Sequence, residues 1–406
     1  MRHSTKNRSF AKFAASGVSV LALGFTGFTA HADDTAPCNE AAGDATALEC
    51  GVDSSATGVD ATAIGTEATA IGNSTTAVGG ESTADGLAAT AIGWQASAIG
   101  ERAQAFGHLA NADGARTLAV GEAASASGEQ ASAIGNLASA TGVDATAFGT
   151  MATADGNSTT AIGGESTADG LAATAVGWQA SAIGERAQAF GHLANADGVR
   201  SLAVGEAASA MGEQTVAIGN MASATGVDAT AIGTMSIANG NSTTAVGGES
   251  TADGLAATAI GWQASAVGER AQAFGHLAMA DGVRTLAVGE AASASGEQAS
   301  AAGNMVSATG IDATAFGTMA TANGNSTTAI GGESTADALA IALESPYEET
   351  GKSFGLSGGF GFYEDESAVA VGAAVRLSDN WQLNAGFASG LDRGGEADRV
   401  GFQASW

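Results

Sequence analysis

The stretch from Gly58 to Gly72 reads G-V-D-A-T-A-I-G-T-E-A-T-A-I-G. A Gly recurs at every seventh position, and between two of them Ala alternates with Thr, Ile and other small or β-branched residues. The spacing holds from Gly51 to Gly331 without a miss, forty-one glycines in all, and an Ala follows each by five residues, from Ala56 to Ala336. A seven-residue period invites a coiled-coil reading. It fails, because each Gly costs about 1 kcal/mol relative to Ala inside a helix. Alternation of this kind suits short strands, and Gly supplies the positive φ that a tight corner needs. Each G-x-x-[A/S/T]-x-A-x unit is therefore expected to be one strand plus one turn, and the array a β-solenoid.

Alternation also assigns the faces. The third and fifth residues after each Gly are nearly all Ala, Ser or Thr, so the interior must be narrow. The residue just before each Gly points outward, and here the period doubles to fourteen. One series is apolar: Ile64, Val78, Ile92, Phe106, Val120, Ile134, Phe148 and onward to Ile330. The alternate series is mostly polar (Thr57, Asp85, Asp113, Ser127, Thr141, Asp155), with Ile71, Ile99, Ile183, Met211 and Val267 as exceptions. Two strands thus form one coil, and twenty coils at about 4.8 Å each give a shaft on the order of 95 Å long. An apolar stripe of that length exceeds what monomers expose, so identical copies around an axis are expected to cover it. A longer period is visible as well: G-[V/I]-D-A-T-A-[I/F]-G begins at Gly58, Gly142, Gly226 and Gly310, twelve units apart, as duplication of a long block would leave it.

The chain has 406 residues and a net charge of −28. Such a surface repels phosphate backbones, which argues against nucleic-acid binding. With 60 Gly but only 2 Pro, a collagen triple helix is excluded. Arg2, Lys6, Arg8 and Lys12 precede an apolar stretch from Phe13 to Ala30 and the A-x-A site Ala30-His31-Ala32, so residues 1–32 read as a secretory signal peptide rather than a membrane-spanning helix. The tip, 33–50, contains the two cysteines, Cys38 and Cys50. In an exported chain they could pair within the chain or between chains.

Past the roll, 51–337, Ala338 stands where the next Gly was due. Thr335 to Leu343 could form a short apolar helix, within a linker at 338–351. Residues 352–406 then read as four strands. Phe354, Leu356, Phe360 and Phe362 alternate with Gly355, Ser357, Gly359 and Gly361. Val369, Val371, Ala373, Val375 and Leu377 alternate with Ala370, Gly372, Ala374 and Arg376. Trp381, Leu383 and Phe387, then Val400, Phe402 and Trp406, continue the pattern. The turn at Ser378-Asp379-Asn380 is short, and Ser389 to Asp398 is long and polar. Apolar residues on one face and small or polar ones on the other, at about ten residues per strand, are the outer-membrane barrel signature. Four strands cannot close such a barrel, and open edges are not tolerated in lipid, so the barrel must be shared among subunits.

The run G-K-S-F-G from Gly351, E-S-A-V-A-V-G-A-A-V-R-L-S-D-N-W from Glu366 to Trp381, and terminal Trp406 resemble the membrane anchor of the YadA-like trimeric autotransporter adhesins. The A-x-A-x-G units resemble that family's head repeats. The resemblance implies an all-β chain: a left-handed parallel β-roll head, three rolls side by side, and a twelve-stranded outer-membrane barrel to which each subunit gives four strands, with Gly372, Trp381 and Trp406 in the anchor. It implies a homotrimer assembled through the barrel-assembly machinery, with the helix near Ala338–Leu343 in the pore. It further implies a head exposed on the cell surface that attaches to host matrix, cells or surfaces and causes clumping. Two departures stand out. Only about twenty residues separate Gly331 from Lys352, with no heptads, so the coiled-coil stalk usual in this family is missing. Collagen-binding heads of the family carry N-S-V-A-I-G-x-x-S, whereas here N-S-T-T-A-V-G-G-E-S runs from Asn73 to Ser82, with near copies at 157–166, 241–250 and 325–334. One inserted residue shifts the Asn and Ser by one place.

Asn73, Ser74 and Ser82, with Asn157, Ser158, Ser166, Asn241, Ser242 and Ser250, are therefore candidate ligand contacts. Trp94, Trp178 and Trp262 project outward and could be adhesive contacts or could pack on a neighbouring chain. His108, His192 and His276 recur in F-G-H-L and read as turn residues. Glu101-Arg102, Glu185-Arg186 and Glu269-Arg270 read as surface or intersubunit ion pairs. No nucleophile–base pair, zinc spacing or phosphate loop is present. Acidic positions such as Asp85, Asp113 and Asp155 lack the nonapeptide pattern of calcium-binding rolls. No catalytic residue, metal or cofactor is expected. The competing functions are an adhesin, a passive surface element without a receptor, and an ice-binding solenoid. The last would need a regular Thr array that this chain lacks.

Overall fold

The computed structural model describes residues 38–41, 44–336, 341–343, 354–363, 366–378, 381–390 and 396–404, with side chains for Cys38 and 46–336. Three-residue strands such as Thr62–Ile64, Thr76–Val78 and Thr90–Ile92 stack in parallel, fourteen residues apart and in register. Two-residue strands such as Thr69–Ala70 and Thr83–Ala84 do the same on the opposite side. The first series begins at Asp44–Cys50 and ends at Ile341–Leu343; the second runs from Ser55–Ala56 to Thr335–Ala336. One coil is thus two short strands and two corners.

The interior is as thin as the alternation requires. Ala61, Ala63, Ala68 and Ala70 are fully buried, and the pattern repeats along the shaft. Where the third position is Ser or Thr, its hydroxyl is also buried and needs a partner. Thr75 donates to the Gly72 carbonyl at 2.7 Å and Ser82 to the Gly79 carbonyl at 2.8 Å. At these two positions the corner satisfies the hydroxyl from within its own turn.

The corners differ from the expectation that every Gly supplies a positive φ. Only every second one does, with Gly65 at 131° and Gly79 at 130°. Gly58, Gly142 and their counterparts are outside that region and are required for a different reason. A Cβ on Gly58 would collide with the Gly72 carbonyl, and one on Gly142 with the Gly156 carbonyl. The left-handed position falls two residues later, on residues that are not Gly: Asp60 at 55°, Glu67 at 59°, Leu109 at 59°, Met151 at 58°. Such a backbone costs about 1–2 kcal/mol per non-Gly residue. It also aims the N–H along the shaft, so Glu67 N donates to Val52 O at 2.8 Å and Ser74 N to Val59 O at 2.7 Å. The hydrogen-bond ladder therefore continues around the corners.

Both ends are closed by strands. Cys38 and Cys50 form a disulfide within the chain, which settles the two pairings left open by the sequence. Asn39–Ala41 lies antiparallel on Asp44–Cys50, and this short strand covers the edge of the first coil. Cys50 pairs with Ile64 and so heads the apolar stripe. At the other end the expected helix over Thr335–Leu343 is corrected. Thr335–Ala336 and Ile341–Leu343 are strands, the latter parallel to Thr328–Ile330. A nine-residue helix is too short to be stable alone, whereas the last coil offers unpaired N–H and C=O groups. The offset here is thirteen residues, from Thr328 to Ile341. The signal peptide at 1–32, Trp406 and most of the linker at 338–351 lie outside the described residues.

Four antiparallel strands follow: Phe354–Tyr363, Glu366–Ser378, Trp381–Gly390 and Glu396–Ala404, paired in chain order. The register aligns the two sequence series across the sheet. Phe354, Val375, Leu383 and Phe402 share one row, and Ser357, Gly372, Gly386 and Arg399 another. The polar loop expected from Ser389 to Asp398 is shorter than that, since Ser389 already pairs with Glu396 and Phe387 with Asp398. Among the described residues, neither outer strand of this sheet has a second neighbour.

Two stability measurements test this account. Gly142→Ala should cost about 2 kcal/mol or more through overlap with backbone, while Leu137→Gly, at a left-handed corner, should stay within about 1 kcal/mol of the parent. Both are read from thermal unfolding of the purified chain, and equal costs would contradict the corner geometry. Replacing Cys38 and Cys50 by Ser should remove about 3 kcal/mol, the loop-closure contribution for so short a loop, and admit protease to the N-terminal coil first.

Candidate functional site

Since the interior is uniform, any recognition chemistry lies on the outward columns, where residues recur once per coil. The stripe is one such column. Ile64 and Ile92 are exposed at 37% and 40%, and Phe148 and Phe316 at 52% and 60%, while Val78, Phe106, Val120 and Ile134 are half-buried. Each coil adds one apolar side chain directly above the last, as Ile134 pairs with Phe148 and Phe148 with Ile162.

One corner past the stripe, the residue after each positive-φ Gly forms a second column: Thr66, Gly80, Trp94, His108, Glu122, Asn136. The same six kinds recur from Thr150 and again from Thr234. Trp94 and His108 stack, with ring centroids 4.9 Å apart and planes inclined by 20°. Trp178 with His192 and Trp262 with His276 repeat this at 5.0 Å. His108 Nδ1 lies 3.6 Å from Glu122 Oε1, an ion pair when the imidazole is protonated, and Asn136 Nδ2 donates to Glu122 Oε2 at 3.1 Å. On the opposite side a Cβ at Gly80 would come within 3.1 Å of Trp94 Cδ1. Trp94 nevertheless stays 48% exposed. Read along the chain, Trp and His are separate features. A fourteen-residue count joins them, because they are one coil apart at the same corner.

The candidate contacts suggested by the collagen motif are divided by the structure. Ser82, Ser166 and Ser250 are fully buried, and their hydroxyls are bound to Gly79, Gly163 and Gly247. This corrects the expectation that they face a ligand: they occupy the third place after Gly, which points inward. Asn73, Asn157 and Asn241 are exposed at the other corner, yet their Oδ1 atoms accept from the backbone N–H of Val59, Val143 and Val227 at 3.0–3.1 Å. Ser74, Ser158 and Ser242 are exposed in the left-handed conformation. Glu101–Arg102, Glu185–Arg186 and Glu269–Arg270 approach to 3.9 Å within the chain and are exposed, so they contribute little. The repeats also differ beside the polar column. Asn111 and Asn195 donate to Asp113 and Asp197, but Met279 replaces that Asn, and burial pushes the Asp281 carboxyl above the ordinary carboxylate range. Among the described residues no group of three or more His, Cys, Asp or Glu could hold a metal ion.

Residues 346–406 match the YadA-like membrane anchor domain, and twelve stretches between 51 and 334 match the YadA head domain repeat. The chain belongs to the YadA-like trimeric autotransporter adhesins. Both matched families are adhesin or anchor modules. Among solved structures, the collagen-binding domain of the Yersinia adhesin YadA aligns at 25% identity, over 40% of this chain and 68% of that one, with a TM-score of 0.21. No relative was found among curated proteins. In this YadA-like chain the head repeats coincide with the roll and the anchor match covers the antiparallel sheet.

One buried hydroxyl tests the repeat geometry. Thr117 and Thr285 donate to Gly114 and Gly282 at 2.7 Å, but the equivalent Ser201 leaves its Oγ unpaired. Ser201→Thr should restore the bond and raise stability by about 1 kcal/mol, measured as an upward shift in thermal midpoint. A lower midpoint would count against it.

Proposed function

We propose that this chain is a surface-displayed homotrimeric adhesin, whose anchor exports and tethers the roll. The observation that carries this reading is the four-stranded sheet with two unpaired edges. Three copies joined edge to edge give twelve strands, which closes a barrel and leaves no open edge in lipid. The same symmetry brings three rolls together, and the apolar stripe gives each a face to bury. The anchor places the trimer in the outer membrane, inserted by the barrel-assembly machinery, with the head outside. Attachment to matrix, host cells or abiotic surfaces, and clumping of displaying cells, follow from a rigid shaft held in many copies. The collagen-type contacts are weakened here, because the Ser of each motif is inside the roll and the Asn binds backbone. Residues Ser74, Ser158 and Ser242 remain available at that corner, as do Trp94, Trp178 and Trp262 at the other.

Expression in a Gram-negative host should give a band at three times the mass of the exported monomer in unboiled detergent gels, collapsing to monomer on boiling. Deleting 352–406 should abolish surface display. Ile134→Asp with Phe148→Asp should leave the anchor trimer but lower the melting temperature of the roll, since burying each large apolar side chain is worth about 1.5–3 kcal/mol. A soluble periplasmic monomer would refute the reading. Display without gain of adhesion to matrix or plastic, and without clumping, would favour a passive surface element.

A further inference from the structure

The indole of Trp94 is backed on one side by His108 and bordered on the other by Gly80, which has no side chain. Beyond the Cδ1 edge that lies against Gly80, the next side chain of this column is Thr66, two coils or about 10 Å away. That gap lies beside an indole that is 48% exposed and whose Cδ1–Nε1 edge reaches over Gly80. The stack with His108 holds the indole in place, so little side-chain entropy is lost when a ligand lands on it.

The neighbouring column supplies a second, independent observation. In the same two coils it carries Glu81 and Gln95, and Gln95 Nε2 donates to Glu81 Oε2 at 2.7 Å. In the four coils that follow, this column is apolar: Leu109, Ala123, Leu137, Met151. Among the described residues the Glu–Gln pair recurs beside the other two Gly–Trp steps, at 2.6 Å in both. A half-exposed indole next to Gly and a carboxylate–amide pair on the adjacent column therefore coincide three times.

We propose that the Gly80–Trp94 step and its two counterparts are pyranose-stacking subsites for a neutral polysaccharide, with the Glu–Gln pair hydrogen-bonding ring hydroxyls. A sugar ring offers an apolar face to the indole and hydroxyls to the rim. The net charge of −28 disfavours sulfated or sialylated chains. A quaternary ammonium ligand would call for a cage of several aromatic rings, and here there is one. The three subsites lie six coils apart, about 29 Å, so a single long polymer can engage them in series, and weak sites gain from multivalency. The inference rests on the adhesin reading and adds a ligand class to it.

The test is affinity electrophoresis of the detergent-solubilised full chain through gels containing mannan, galactan or β-glucan. At least one polysaccharide should retard it. Trp94→Ala with Trp178→Ala and Trp262→Ala should abolish the retardation. Gly80→Thr with Gly164→Thr and Gly248→Thr should weaken it about tenfold or more by filling the gap. Thr66, Thr150 and Thr234 carry this residue one coil earlier, but at Gly80 its Cβ would stand 3.1 Å from Trp94 Cδ1, so the variant displaces the indole edge as well as filling the gap. No retardation of the parent by any of the three polymers, or equal retardation of the Thr variant, overturns the proposal. The heat-sensitive trimer band, run in parallel, separates the two ideas: its presence without retardation defeats the glycan site alone, and its absence defeats the adhesin reading.

Discussion

The fold depends on one close approach. At each corner the backbone of a Gly lies against the carbonyl of the Gly one coil further on, at a distance that no Cβ could share. The strands are only two or three residues long, too short to hold a sheet by themselves. What they lack in length is made up by continuity, because the hydrogen-bond ladder runs through the strands and the left-handed turn residues alike. Bulk at the corners would separate the coils and break both. This explains why the strained φ falls on Asp, Glu, Leu or Met while Gly is kept at positions where φ is not always positive. Strain at a turn can be offset by an axial hydrogen bond, whereas backbone overlap cannot.

A second consequence concerns where information can be stored. The interior admits little beyond Ala, Ser and Thr, so it can differ from repeat to repeat only slightly. Among the described residues Val306 is the largest fully buried side chain. Specificity must therefore be written on the outer columns, and each column is read along the shaft rather than along the chain. The apolar stripe, the Gly–Trp–His–Glu corner and the Asn corner are three such columns with three different chemistries, all carried on one backbone geometry.

Much of this is legible in the sequence because two exact periods overlap. The seven-residue Gly spacing predicts corners, and the fourteen-residue alternation at Ile64, Val78 and Ile92 predicts which sheet carries the stripe. The anchor strands are readable because Phe354, Val375, Leu383 and Phe402 mark one series in four successive segments. The failures have physical causes. Ser82 reads as a ligand contact when the motif is matched as a linear string, although its phase after Gly79 points inward. The segment at Ile341–Leu343 looks helical in isolation, and only the exposed edge at Thr328–Ile330 makes it a strand. The Trp94–His108 stack escapes a linear reading because its partners are neighbours in space but fourteen residues apart in the chain.

The long repeat fits the same constraint. Blocks of 84 residues separate the copies of Trp94 and of Gly58, and 84 is six whole coils. A duplicated block with an odd number of heptads would shift the phase by half a coil. The apolar stripe would then jump to the opposite sheet, and each Trp would land at the wrong corner. The inner places would register the error less strongly: buried Thr75, Thr117 and Thr159 follow Gly residues without a positive φ, whereas buried Ser82, Ser166 and Ser250 follow positive-φ Gly. The outer columns carry the larger difference between the two phases. A block of six whole coils therefore keeps the Trp–His–Glu corner and the buried corner hydroxyls in phase together.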